Sequence, residues 1–154
     1  MQPPPLRTVL TAGLIAGLLD ITAACIKFYS NTGKGPAPVL QFVASGIFGK
    51  KAFTGGNEML AWGLFFHFLI AVGFATLYVL LFRQYSFIRK NSIVSGIVYG
   101  VVAWSVMNLL VIPLSHAPAQ PFVLKKAVIS LLIIVFMIGL PIALITRKME
   151  KEKE

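Results

Sequence analysis

Asp20 and His67 have the chemistry to hold or pass a proton, and each sits inside a long apolar stretch. An ionised carboxylate near the centre of a membrane helix costs about 2.5–3.5 kcal/mol on insertion scales, so it normally faces a bundle interior, a partner or water. Asp20 is therefore a functional-site candidate. His67 lies among Gly63, Ala71 and Phe74 at helical spacing, which places an imidazole on a small-residue face. The two depths agree. Eight residues separate Asp20 from Phe28 and nine separate His67 from Glu58, so each lies about 12–14 Å from the same membrane side at the standard helical rise. A carboxylate beside an imidazole would form an ion pair or share a proton, and the two titrations would be linked.

Three readings of the pair stay open. It is a polar clamp that sets helix register, a proton-responsive or substrate-coordinating site, or part of a metal site. The last needs three or four ligands, and Cys25 and His116 are poorly placed to supply them, so neither metal nor cofactor is expected. Asn108, with Ser105 and Ser130, gathers toward the same side and joins the candidate polar site. These residues would either line a cavity or hydrogen-bond between helices.

The elements that must position this pair carry glycines in register. Gly13, Gly17, Asp20 and Ala24 share one helix face, and Ser92, Gly96, Gly100, Ala103 and Met107 share another. Both faces contain Gly-x-x-x-Gly, a spacing that lets a second helix approach closely. Gly13, Gly17, Gly96 and Gly100 are accordingly expected to pack helices.

Four apolar segments are long enough to span a bilayer: about 8–28, 58–82, 92–112 and 123–146. The fold expected is all-α, a polytopic membrane bundle forming a single domain over 1–154, because lipid tolerates only helices or closed barrels and no strand-like alternation repeats. The first loop holds a further segment, 38–49, with Pro38 suited to a first helical turn and Val39, Val43 and Ile47 at helical spacing. At about 18 Å of helical length it is too short to cross, so an amphipathic or re-entrant helix is expected. Pro141 should kink the last span.

The composition agrees with this class. Of 154 residues, 57% are hydrophobic and 12% charged, and the mean hydropathy of +0.83 is too high for a soluble domain. The net charge of +9 does not point to nucleic acid, since the basic residues lie at the ends of apolar stretches and no nucleic-acid motif accompanies them. With four spans, Arg7, Arg83, Arg89, Lys90, Arg147, Lys148, Lys151 and Lys153 share one side. Lys27, Lys34, Lys50, Lys51, Lys125 and Lys126 take the other. The excess, with every arginine on the first side, predicts both termini in the cytoplasm. Thr22-Ala23-Ala24-Cys25 echoes a lipoprotein processing site, but Asp20 interrupts the apolar run such a signal needs, so the first segment is expected to stay.

Enzyme signatures are absent: there is no nucleophile elbow, zinc-protease motif, Walker loop or dinucleotide fingerprint. A non-enzymatic role is expected. The stretch from His67 to Pro121 comprises a histidine in an aromatic-rich helix, a short basic turn, a Gly-x-x-x-Gly helix and an Ile-Pro-Leu loop rich in proline. Together with Gly13-Leu14-Ile15-Ala16-Gly17, it resembles the YagU-like group of small bacterial inner-membrane proteins of unknown function. The resemblance implies four spans in a bacterial inner membrane and assigns no site residue. The expected partner is the lipid bilayer, joined by a second copy packed through the glycine faces or by another membrane protein. The functions that fit are proton-linked permeation or sensing through Asp20 and His67, and a structural or accessory subunit.

Overall fold

Proline and glycine punctuate the chain into its helices. A computed structural model describes residues 4–151, and α1 (Leu6–Thr32) begins directly after Pro5, whose backbone is extended. It ends at Gly33, where φ of 67° gives the left-handed cap whose N–H reaches the Tyr29 carbonyl. Helix α2 (Ala37–Phe48) starts with proline in its first turn, and a 3-10 turn, Gly49–Phe53, follows it. Helix α3 (Gly56–Gln84) carries Glu58 in its first turn and Arg83 in its last, each complementing the helix dipole. A short connector, α4 (Ser86–Lys90), leads to α5 (Ser92–Leu114), and α6 (Leu124–Lys151) completes the bundle.

Four of these helices, α1, α3, α5 and α6, are long and apolar enough to cross a membrane, at 27, 29, 23 and 28 residues. The fold is all-α, four long apolar helices with an additional short helical segment in the first loop. The spans run past the apolar limits read from sequence. In α1, Asn31 and Thr32 donate to the Lys27 and Phe28 carbonyls, each at 2.8 Å, which extends the helix beyond Phe28. In α6 the charged end is held by Glu150, which accepts from Thr8 Oγ1 at 3.2 Å and lies 3.6 Å from Arg83 Nε. That group ties α1, α3 and α6 together at one end of the bundle.

The expected disturbance at Pro141 takes a specific form. The turn before it, Val135–Gly139, is π-helical, with the Leu140 N–H bonded to the Val135 carbonyl. The same device precedes Pro113, where Met107–Val111 is π-helical and the Ile112 N–H reaches Met107. A proline cannot donate to the carbonyl four residues back, and a widened turn two residues upstream shifts the ladder around that gap.

Helix α1 packs against both α3 and α6, and α5 packs on α6. The core cluster combines small residues and aromatics, Ala12, Ala16, Ala75, Ala143, Tyr78, Tyr99 and Phe82, with two isoleucines of α6, Ile138 and Ile142. The leucines face outward, among them Leu18, Leu69 and Leu109, while isoleucine and valine divide between the interior, as at Val79 and Ile142, and the outer face, as at Val98. Alanines at the contacts and leucines on the outside suit lipid as solvent, where close backbone approach rather than hydrophobic burial drives helix association.

Candidate intramembrane polar site

The glycine face of α1 positions this site. A Cβ on Gly13 would lie 2.7 Å from Val72 Cα, and one on Gly17 would lie 2.9 Å from the Phe68 ring and 3.0 Å from Ala71 Cβ. Only bare glycines admit α3 this closely. As a result the His67 ring reaches the backbone of α1, where Nε2 lies 2.8 Å from the Gly17 carbonyl oxygen. A carbonyl accepts and cannot donate, so Nε2 carries the hydrogen and Nδ1 is the nitrogen left to gain or lose one.

Asp20 is one turn further along α1. Its Oδ2 stands 4.0 Å from His67 Nε2, with the two side chains 19% and 12% exposed. That distance is ion-pair range and too long for a hydrogen bond. Among the described residues the Asp20 carboxyl accepts no hydrogen bond, so its lone pairs are open to a proton or a polar guest. The imidazole N–H is spent on the Gly17 carbonyl. The structure thus brings Asp20 and His67 together, with the Gly17 backbone between them as a third member that the sequence did not single out. A backbone acceptor has no residue-type signal, although Gly17 three residues before Asp20 was a hint of close approach.

Asn108 lies elsewhere in the bonding pattern. Its Nδ2 donates to the Trp104 carbonyl at 2.9 Å, within α5 at the π-helical turn, and it makes no hydrogen bond to Asp20 or His67. Ser105 likewise donates to Val101 in its own helix. Ser130 accepts from Trp104 Nε1 at 2.8 Å, a bond between α5 and α6. These polar residues therefore act in or between helices.

Gly96 and Gly100 receive α6: Cβ atoms there would meet Ala143 Cβ at 2.8 Å and Val135 Cα at 2.6 Å. Gly139 faces them, its own Cβ position falling on the Gly96 carbonyl. With Gly13 and Gly17 taken by α3, both glycine faces are filled within one chain. The expectation that they would join two copies is corrected, since no room remains there for a second chain. Gly63, read with His67, serves a different neighbour, because the Leu40 carbonyl of α2 occupies its open side. Phe48 of α2 packs near Trp62 and Phe66, with ring centroids 5.9 and 6.1 Å away. The short helix thereby abuts the α3 turn that precedes His67.

A second polar group was missed in the sequence. Tyr78, 1% exposed, lies with its hydroxyl 2.7 Å from Ser95 Oγ, and Tyr99 donates to the Phe74 carbonyl at 2.6 Å. The two rings meet edge to face at 5.0 Å. They tie α3 to α5 across the core. The available signal was the tyrosines themselves, since a hydroxyl buried in an apolar span must find a partner. Comparison with family models, with curated proteins and with solved structures finds no match to this chain.

Proposed function

We propose that the chain is a non-enzymatic multi-pass protein of a bacterial inner membrane in which the Asp20–His67 pair takes up and releases a proton, linked to permeation or sensing. The observation that carries this reading is the carboxyl without a hydrogen bond, 4.0 Å from an imidazole that gives its N–H to a backbone carbonyl instead. A pair serving only as a clamp would spend that N–H on the carboxylate, the stronger acceptor. The test is proton flux into proteoliposomes across a pH gradient. Wild-type protein is expected to leak protons and folded Asp20→Asn to be tight; equal leakage from both would remove the pair from the function.

A second reading, a structural or accessory subunit, draws on α5. Only 11% of its apolar window is buried within the chain, and Ile93, Val94, Ile97, Val98, Val101 and Val102 all face outward. A wild-type bilayer that is proton-tight would favour this alternative, with another membrane protein or a second copy on that face.

The likeness to the YagU-like group supports the inner membrane, and the distribution of arginines supports cytoplasmic termini. Reporter fusions at Ser86 and Ala119 are expected to lie on opposite sides, Ser86 in the cytoplasm. The same side for both would end the four-span reading, and the inverse would reverse the orientation.

A further inference from the structure

The end of the bundle that carries the chain termini holds a basic groove unrelated to the Asp20–His67 pair. A hollow of about 330 Å³ opens between α4 and the end of α6, lined by Arg89, Lys90, Arg147, Lys151 and Phe82, with Glu150 the one acid in its lining among the described residues. A second hollow of about 350 Å³ adjoins it, sharing Lys90 and Arg147 and adding Ile93 and Val94. One carboxylate cannot balance four cations, and this one also accepts from the Thr8 hydroxyl and lies 3.6 Å from Arg83, which is not part of the groove lining. Arg89 is held in place through Nη1, which donates to the Arg83 carbonyl at 3.1 Å.

We infer that this groove binds a phosphate group, carried on the headgroup of an anionic phospholipid. Guanidinium and ammonium groups converging on one hollow match a phosphate's charge and its several acceptor oxygens, and basic pockets between membrane helices are suited to anionic headgroups. The apolar side of the groove distinguishes a lipid from a free anion. Ile93 and Val94 are 56% and 54% exposed and open onto the outward stripe of α5 that continues through Ile97 and Val98. A headgroup seated on Lys90 and Arg147 would lay its acyl chain along that stripe.

The experiment uses the full chain in phosphatidylcholine nanodiscs containing a minority of phosphatidylglycerol with a photoreactive acyl chain. Crosslinks in the wild-type protein are expected to concentrate on the outward stripe of α5, residues 93–102. Crosslinks spread evenly over all four spans would overturn the inference without any variant having to fold. Lys90→Gln with Arg147→Gln should lower phosphatidylglycerol affinity about 25-fold, at roughly fivefold per cation. The charge-keeping pair Lys90→Arg and Arg147→Lys should retain it, as should Lys50→Gln with Lys51→Gln at the other end. Unchanged affinity in the first pair would also overturn the site. Inorganic phosphate added to phosphatidylcholine-only discs should leave the melting temperature unmoved. A shift matching that of phosphatidylglycerol would overturn the lipid as the source of the phosphate.

Discussion

Gly139→Leu is expected to abolish the docking of α5 on α6. Even a methyl group at this position would fall on the Gly96 carbonyl and within 2.8 Å of the Gly100 backbone. These are main-chain atoms of a regular helix and cannot turn aside as the tip of a long side chain can. Overpacking costs about 1–3 kcal/mol where side chains absorb the strain, and a leucine against backbone exceeds that range. Gly139→Ala makes the sharper test, because helix propensity alone favours alanine by about 1 kcal/mol. A net loss of stability on adding one methyl therefore isolates the collision. Gly73→Ala is the control, since nothing lies within 4 Å of its Cβ position, and it should be neutral or slightly stabilising. Unfolding in a denaturing detergent titration would measure all three; Gly139→Ala matching Gly73→Ala would refute the packing.

The glycines illustrate what can be read from a membrane sequence. Gly13, Gly17, Gly96 and Gly100 announce close approach through their spacing, yet the pattern carries no address. The same Gly-x-x-x-Gly serves α3 in one helix and α6 in the other, and its use inside one chain or between two depends on which faces meet. Gly139 and Gly63 have no glycine partner four residues away, so only the structure exposes their contacts with Gly96 and Leu40. Span lengths are legible because bilayer thickness acts on hydropathy alone. Asp20 and His67 could be matched in depth because helical rise is constant. The bond that orients them could not, as its acceptor is the Gly17 carbonyl. The π-helical turns lie between these cases: Pro113 and Pro141 mark where the ladder must break, but whether a helix kinks or widens depends on its neighbours.

Removing His67 is expected to destabilise the bundle more than removing the charge of Asp20, and most of the loss should return when both are changed. His67→Leu deletes the bond to the Gly17 carbonyl, worth about 0.6–1.7 kcal/mol in a membrane bundle. It also removes the one ionisable side chain found within ion-pair range of Asp20 among the described residues, and an unpaired carboxylate at that depth costs about 2.5–3.5 kcal/mol. Together these give about 3–5 kcal/mol, the scale found when one partner of a buried ion pair is deleted. Asp20→Asn costs far less, because the carboxyl accepts no hydrogen bond to lose. The double variant, His67→Leu with Asp20→Asn, should forfeit only the bond to Gly17, about 1 kcal/mol. The four proteins form a double-mutant cycle with an interaction energy of about 2–4 kcal/mol, above the few tenths expected of independent sites. Additive losses would mean that the 4.0 Å approach carries no energy and that each side chain answers only to its own helix. A rescue by asparagine would place the cost of the pair on the carboxylate, the group whose protonation the proposed function requires.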